Sequence, residues 1–207
     1  VHIRNNDVEH AYRQDSDLYY LTGFEEPHSV LVLTGSHEEH HSVLFVQPRD
    51  PAREVWDGPR LGTEGAVETI GVDAAFPIAE LAERLPAYLE GAETLHYPVG
   101  EDHPFDSQVV SAVRTARQRG RRSGRSFPTT FVSPLNGVHE MRLRKDDAEV
   151  EAMRRAAAVT AKAHRRAMEV ARPGMHEYEV QAEMDRVSRA GGAARRRAAP
   201  LRGRGRV

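Results

Sequence analysis

The sequence predicts an α/β fold for residues 1–143, because strand-like and helix-like segments alternate along this part of the chain. Two apolar, β-branched runs, Ser29–Leu33 and Ser42–Val46, have the length of strands and flank a polar turn, so they predict a β-hairpin. Between Ile78 and Leu89, leucine or isoleucine recurs every three or four residues, which is typical of a helix with one buried face.

The other elements of this part follow from the same two kinds of pattern. Further strands are predicted at Asp17–Leu21, closed by Thr22 and Gly23, at Glu54–Asp57 and at Thr94–Tyr97. Further helices are predicted at Glu64–Thr69 and at Phe105–Arg119, the second ending at Gly120 before a loop over residues 120–126.

A long amphipathic helix is predicted after Lys145. Asp146 and Glu149 are spaced as a capping box, and the segment 172–174 (Arg-Pro-Gly) ends the helix, so it spans about 25 residues, or roughly 38 Å. Its apolar stripe is formed by Val150, Met153, Ala157, Ala161, His164 and Met168. His164 is expected to be a partnered core or interface histidine. A second helix is predicted at Glu177–Arg189.

Charge and composition exclude several classes of protein. The net charge is −2, but six arginines lie in the acid-free segment 191–207, and without them 23 basic residues face 31 acidic ones. An acidic body argues against a nucleic-acid-binding domain. There is no cysteine, no apolar run of the roughly 20 residues that span a bilayer and no signal peptide, so we expect a cytoplasmic protein without a membrane partner.

The segment 191–207 has a composition of its own. It holds only glycine, alanine and arginine apart from Pro200, Leu201 and Val207, and such a segment cannot bury enough apolar surface to order itself. It is predicted to be a disordered tail that arises from out-of-frame translation of a GC-rich gene. A basic tail that binds RNA or a membrane is the alternative.

Residues 37–41 read His-Glu-Glu-His-His, a literal match to the His-Glu-x-x-His zinc motif. The motif needs a helix, because only then do both histidines lie on one face. Here the match lies between two predicted strands, so we expect a hairpin turn and no zinc.

Trp56, the only tryptophan, lies in the segment Trp-Asp-Gly-Pro-Arg-Leu-Gly, whose glycine and proline predict a fixed turn. On residue type alone, Trp56 is expected to be a half-buried anchor.

Three blocks of the sequence resemble the Xaa-Pro aminopeptidases (aminopeptidase P), which belong to the "pita-bread" metallopeptidases, in the order found in that family. They are Tyr12–Pro27, Glu54–Gly62 and the segment from Glu140 to Met175. The resemblance implies an N-terminal mixed-sheet domain with flanking helices, of the creatinase and aminopeptidase P type, at residues 1–143, without its first strand. It implies that residues 144–190 are the opening helices of a truncated catalytic domain.

The resemblance also implies a reaction. Family members release an N-terminal residue that precedes proline, using two Mn²⁺ ions held by two Asp, one His and two Glu. None of these ligands can be assigned here, since no Asp, Glu or His follows Asp185. We therefore expect a chain that binds no manganese, carries no catalytic residue and is inactive alone.

The resemblance also implies a role in peptide binding or subunit contact for two residues of this sequence. Trp56 and Arg60 are the candidates for the substrate pocket or for a subunit interface in a homo-oligomer. The alternative is a non-catalytic oligomerisation or peptide-binding module built on the N-terminal domain. Peptides with proline second are the implied partners.

Overall fold

The computed structural model describes residues 3–5, 8–9 and 12–193. These residues form two compact units, divided between Arg142 and Leu143. Residues 194–207 lie outside the described part, and so do the predictions of a disordered and out-of-frame tail made for them. Among the described residues, no helix combines the length and the apolar character needed to cross a membrane.

The first unit alternates strands and helices, which confirms the predicted α/β class. Its strands are β1 (Ile3–Asn5), β2 (Val8–Glu9), β3 (Val30–Leu33), β4 (Ser42–Val46), β5 (Ala74–Pro77), β6 (Thr94–His96) and β7 (Thr130–Val132). Its helices are α1 (Ser16–Thr22), α2 (Pro51–Asp57), α3 (Gly62–Ile70), α4 (Leu81–Leu89, after a 3₁₀ turn at Ile78–Glu80), α5 (His103–Ser123) and α6 (Leu135–Leu143).

The strands of this unit form a mixed sheet, a parallel pair and a small hairpin. β3 and β4 form the predicted antiparallel hairpin, with Val32 opposite Val43. β4 also pairs in parallel with β5, and β6 pairs in parallel with β7. β5 and β7 were not predicted, because each is only three or four residues long, too short for its apolar residues to be distinguished from those of a loop.

The core of the first unit lies on both faces of β4, the central strand of its sheet. Val43 and Phe45 face a cluster formed with α4 and α5, which includes Leu85 and Ala116. Leu44 and Val46 face a second cluster with Phe24, Ala66 and Val72. Successive side chains of a strand point to opposite faces, so an uninterrupted apolar run is required where both faces are covered.

The predicted strand at Asp17–Leu21 is wrong, since the segment is helix α1. The Asp15 carboxylate accepts hydrogen bonds from the backbone N–H groups of Asp17 and Leu18, at 2.9 Å each. Gly23 ends the helix in a left-handed conformation, with φ 68°. Local capping therefore outweighs the β propensity of the two tyrosines in this segment.

The predicted strand at Glu54–Asp57 is also wrong, since these residues belong to helix α2. Asp50 caps this helix through the N–H groups of Ala52 and Arg53, and Pro51 occupies the first turn. Proline is suited to this position because its fixed φ is helical and its missing N–H would have no partner there. The helix-start signal at Asp50 and Pro51 therefore lies just before Val55 and Trp56, the apolar pair on which the predicted strand was based.

Helix α5 does not end at Gly120 as predicted but continues to Ser123, with Gly124 as its left-handed cap. Gly120 has a different role, because the chain that leaves the helix passes directly over it. A Cβ atom at Gly120 would lie 2.7 Å from the carbonyl oxygen of Arg125 and 3.0 Å from Cδ1 of Phe127. The glycine thus permits a close approach of two segments.

Replacing this glycine gives the first testable prediction. Gly120→Ala is expected to lower the free energy of unfolding by about 1–3 kcal/mol, because the new methyl group meets a backbone oxygen. Gly137→Ala in α6 is the matched control, since a Cβ there meets nothing within 4 Å. The control should gain up to about 1 kcal/mol from helix propensity. Urea unfolding measures both; equal gains for the two variants would contradict this packing.

The described part of the second unit contains α7 (Asp147–Val170) and α8 (Glu177–Ala190), as predicted. The predicted capping box is present: the Glu149 N–H donates to Asp146 Oδ1 at 2.8 Å, and the Asp146 N–H donates to Glu149 Oε2 at 2.9 Å. The two helices pack together, with Ala163 and Met184 buried.

The predicted apolar stripe of α7 is mostly exposed, including Met153, Met168 and His164. The expectation of a core histidine at 164 is therefore wrong, and an interface role for His164 stays a prediction. The face that is buried contains Ala163, with Val159 beside the end of α8 at Gly191. A periodic stripe identifies a helix, but it does not identify which face meets the partner helix.

Candidate functional site

Trp56 lies in the last turn of α2 and is 87% exposed. The expectation of a half-buried anchor is therefore wrong. Its neighbour Val55 is also exposed, so this end of the helix presents an apolar surface. Gly58 ends α2 with φ 89°, and the chain then turns through Pro59. An exposed indole is a candidate contact for another molecule, because Trp supplies a large apolar area at low entropic cost.

Arg60 differs from Trp56 in being held in place. Its side chain is only 11% exposed, and Nη2 lies 3.1 Å from the Asp57 carboxylate. Nη1 donates to the Pro48 carbonyl at 3.4 Å. These contacts fix the guanidinium beside the turn that α2 leads into, which gives the site a positive group in a defined position.

Trp56 and Arg60 line one cavity of about 850 Å³. The other lining residues are Tyr12, Glu26, Pro27, His28, Gln47, Arg53, Asp57, Gly58 and Pro59. Two segments that are distant in the sequence, 12–28 and 53–60, thus meet here. The structure brings together both predicted site residues, and it adds a set of polar groups that sequence reasoning did not single out.

Glu26 is the added residue with the most unusual environment. Its Oε1 accepts a hydrogen bond from the Leu61 N–H at 2.7 Å. Its Oε2 is buried and has no hydrogen-bond partner within the described residues. The neighbouring His28 has a positive φ of 56°, which is uncommon for a residue other than glycine. Buried polar atoms are normally paired, so the unpaired oxygen makes Glu26 an unusual member of the cavity wall.

Tyr12 also lines the cavity, and its phenol has a shifted pKa. Its hydroxyl donates to Gln14 Oε1 at 2.8 Å. Partial burial, together with the nearby Asp15 carboxylate, raises the pKa of the phenol. Both effects disfavour the phenolate, so Tyr12 is a neutral donor and acceptor at physiological pH.

A second polar cluster joins α1 to α6 in the first unit. Asp17 accepts from Arg142 through Oδ1, and its Oδ2 lies 3.3 Å from His139 Nε2. Sequence analysis did not find this cluster, because its members are separated by more than 120 positions. Asp17 and Arg142 each lie in a block that carried the family resemblance, which was the available signal.

The His-Glu-Glu-His-His segment forms the loop of the β3–β4 hairpin, as predicted. His37 Nδ1 accepts from the N–H groups of Glu39 and His40, at 3.3 and 3.1 Å. The His37 and His40 rings stack with centroids 5.3 Å apart, and His40 Nδ1 lies 3.2 Å from the Tyr88 hydroxyl. The segment therefore has loop geometry instead of the helix the zinc motif requires. That it binds no zinc stays a prediction.

The side chains present do not fit a pair of manganese ions. Within residues 3–5, 8–9 and 12–193, no group of three or more His, Cys, Asp or Glu side chains is arranged to hold a metal. A two-metal site needs shared carboxylates and several further ligands. The described side chains therefore do not form a recognisable two-metal site, and the expectation that this chain binds no manganese stays a prediction.

Comparison with known proteins identifies the family. The model "Aminopeptidase P, N-terminal domain" matches residues 1–97, and the model "Metallopeptidase family M24" matches residues 151–201. The Xaa-Pro aminopeptidase of Escherichia coli is 44% identical over 182 residues, which are 87% of this chain and 41% of that protein. The Haemophilus influenzae enzyme of the same name is 36% identical over 181 residues, 87% of this chain and 39% of its own length.

Solved structures agree with the sequence matches. Aminopeptidase PepP of Pseudomonas aeruginosa is similar with a TM-score of 0.87 and 45% identity, over 93% of this chain and 43% of that chain. The present chain thus spans about two fifths of the length of the proteins it matches. Both family models, the relatives and the fold lead to the same assignment: this chain belongs to the Xaa-Pro aminopeptidase (aminopeptidase P) family.

Proposed function

We propose that this chain acts as part of an Xaa-Pro aminopeptidase, a hydrolase that releases the N-terminal residue of peptides with proline in second position. The observation that carries the proposal is the 44% identity to the Escherichia coli Xaa-Pro aminopeptidase over 182 residues. In this proposal residues 1–143 are the N-terminal domain and residues 144–190 are the opening helices of the catalytic domain. A cytoplasmic location, expected from the cysteine-free composition, is proposed with it.

The part of the reaction assigned to this chain is to shape the peptide site. The exposed indole of Trp56 offers an apolar surface against which a pyrrolidine ring can pack. Arg60 is held by Asp57, and it supplies a positive group for a carbonyl or carboxylate of the peptide. Neither side chain is assigned a chemical step, so both act through substrate binding.

Metal chemistry in this proposal comes from residues other than those described. The family name, metallopeptidase, implies a divalent metal, and two Mn²⁺ ions are the proposed pair. When bound, such ions generate a hydroxide nucleophile at neutral pH and polarise the scissile carbonyl. The described side chains do not provide the ligands, which supports the proposal that this chain is inactive alone.

A chimera tests the assignment directly. The 182 matched residues of this chain replace their counterparts in the Escherichia coli enzyme. The chimera, loaded with Mn²⁺, is expected to release the first residue of Arg-Pro-Pro peptides and to leave Arg-Ala-Ala peptides uncleaved. A chimera that folds by circular dichroism and binds Mn²⁺ but cleaves neither peptide would refute the proposal.

The roles of Trp56 and Arg60 give the second prediction. In the chimera, Trp56→Ala and Arg60→Ala are each expected to raise KM roughly tenfold and to change kcat less than about threefold, because they remove binding contacts and no reacting group. Val55→Ala is the matched control, since Val55 lies on the same helix and is 79% exposed. A loss confined to kcat, or an equal effect of the control, would contradict the role.

A non-catalytic module is the second candidate function. The observation that favours it is the exposed apolar pair Val55 and Trp56 on α2, since such a patch is typical of an interface. Sedimentation velocity over a range of concentrations separates the two functions. Self-association of this chain that Trp56→Ala abolishes, with an inactive chimera, would support the module.

A further inference from the structure

The turn between α2 and α3, residues 58–61, carries Arg60. Gly58 begins this turn with φ 89°, and Gly62, the first residue of α3, has φ 67°. Leu61 precedes α3 and makes no side-chain cap hydrogen bond. An apolar side chain cannot accept hydrogen bonds from N–H groups, so the acceptors that hold this turn come from other residues.

Two of these acceptors belong to α2. Asp57 pairs with Nη2 of Arg60 at 3.1 Å. The pKa of the Glu54 carboxyl is lowered by its hydrogen bond with Arg49 and, to a smaller extent, by a hydrogen bond from the Arg60 backbone. Both acids lie on the helix that leads into the turn. They therefore shape the turn itself, but they do not connect it to the other segment that lines the cavity, residues 12–28.

Glu26 makes that connection. Its Oε1 accepts from the Leu61 N–H at 2.7 Å, although the two residues are 35 positions apart. The backbone of Glu26 is held as well, because its carbonyl accepts from Gln14 Nε2 at 2.9 Å and from Ser29 Oγ at 3.2 Å. Phe24, two residues earlier, is buried in the core. The carboxylate is thus presented to the turn by a fixed segment.

The second oxygen of Glu26 argues for a role other than stability. Oε2 is buried and has no hydrogen-bond partner within the described residues. Leaving a buried acceptor unpaired is unfavourable, so a glutamate here is not explained by the stability of the fold alone. Local rules of packing are most often broken at functional sites, and Glu26 lines the same cavity as Trp56 and Arg60.

We propose that Glu26 is a positioning residue for Arg60. By holding the Leu61 N–H, its carboxylate fixes the turn and thereby the place of the Arg60 guanidinium in the cavity. The proposal rests on the proposed function, in which Arg60 binds the peptide. Glu26 itself touches neither the peptide nor the reacting bond.

The other contacts of Arg60 are less able to set its position. Asp57 is three residues away on the same turn, so the ion pair moves with the turn. Nη1 lies 3.4 Å from the Pro48 carbonyl, which is long for a hydrogen bond. The bond between Glu26 and Leu61 is short and charge-assisted, and it joins two segments. Without it, a displaced guanidinium should weaken peptide binding and leave the chemical step unchanged.

The first experiment uses the full chain labelled with ¹⁵N and needs no activity. In Glu26→Ala, amide hydrogen exchange at Leu61 is expected to be about tenfold faster or more, the effect of one lost charge-assisted hydrogen bond. The heteronuclear NOE of the Arg60 Nε–H group should fall with it. Exchange at Leu44, in the core, should not change. Glu25→Ala is the matched control, since Glu25 is the exposed neighbour of Glu26.

Two conservative variants separate the hydrogen bond from the charge. Glu26→Gln keeps an acceptor at the same reach, so its exchange at Leu61 should stay within about threefold of the wild type. Glu26→Asp keeps the charge but is one methylene shorter, and it should behave as Glu26→Ala does. It also serves if Glu26→Ala does not fold. Unchanged exchange at Leu61 in Glu26→Asp and Glu26→Ala would overturn the proposal.

The second experiment measures kinetics in the chimera with the Escherichia coli enzyme. Glu26→Ala is expected to raise KM about five- to tenfold with kcat changed less than about threefold, and Glu26→Gln should restore KM. In an Arg60→Ala background the same substitution should add less than about twofold, because its effect passes through Arg60. In a Trp56→Ala background it should keep its full effect.

The outcomes separate this proposal from the proposed function. If Arg60→Ala raises KM but Glu26→Ala adds its full effect to it, Glu26 does not act through Arg60 and only this proposal is wrong. If the chimera is inactive, or Arg60→Ala leaves KM unchanged, the proposed function is wrong. Exchange at Leu61 and the NOE of Arg60 then still decide whether Glu26 positions the guanidinium, because both are measured without substrate.

Discussion

With excess Mn²⁺ added, this chain is expected to release no detectable amino acid from a peptide with proline in second position. A two-metal hydrolysis needs a metal-bound hydroxide, and without it the reaction loses many orders of magnitude in rate. The described residues contain no group of three or more side chains arranged to hold a metal, and no Asp, Glu or His follows Asp185. We therefore expect that no metal-bound hydroxide forms on the described side chains.

The assay requires protein from a host that lacks its own Xaa-Pro aminopeptidase, since a trace of that enzyme would dominate the signal. The chimera with the Escherichia coli enzyme is the positive control, measured at the same protein concentration. Metal content by mass spectrometry accompanies the assay and should show less than about one Mn²⁺ per chain. Turnover that follows this chain through purification and requires Mn²⁺ would contradict the expectation.

Phe45→Ala is expected to lower the free energy of unfolding of the first unit by about 3–5 kcal/mol, the usual cost of removing a large core side chain. Phe45 is fully buried on the central strand β4. Its ring lies 5.9 Å from that of Phe76 and 6.5 Å from that of Tyr88, measured between centroids. Phe76 and Tyr88, which would surround the cavity left by the ring, lie on two different elements, β5 and α4. They cannot easily move together to fill it, so little of the lost free energy of unfolding is recovered by relaxation.

Leu33→Ala is the matched control for this prediction. Leu33 lies on the same hairpin but is 61% exposed, and its truncation should change the free energy by less than about 0.5 kcal/mol. Urea unfolding followed by far-ultraviolet circular dichroism measures both variants, because the only tryptophan, Trp56, is already exposed in the folded state and would report unfolding poorly. Equal effects of the two substitutions would show that the core does not lie on β4.

The elements that were predicted correctly depend on residues close to one another in the sequence. The hairpin of β3 and β4 follows from two β-branched runs around a polar turn, and α7 follows from the capping box at Asp146 and Glu149. The wrongly predicted strands had local signals as well. Asp15 and Asp50 cap α1 and α2, and in both cases the apolar residues that follow the cap are also typical of a strand.

Only two of the residues that line the cavity were named from the sequence, and their role in binding stays a prediction. Trp56 and Arg60 were identified because they lie in one continuous block that resembles the family. Glu26 and the contact between Asp17 and Arg142 were missed, because each joins parts of the chain that are far apart. No periodicity or motif in the sequence reports which carboxylate remains without a partner after packing.

The sequence by itself determined the α/β class, the positions of the apolar strands and the long capped helix, and, through its resembling blocks, the family. These features depend on capping hydrogen bonds, turn residues and side-chain periods that act over a few positions. Only the tertiary structure decided that Ala74–Pro77 is a strand, that α5 continues through Gly120, and that Glu26 lines the same cavity as Trp56 and Arg60. Each of these depends on a partner segment many residues away, whose position is set by burial of a shared core.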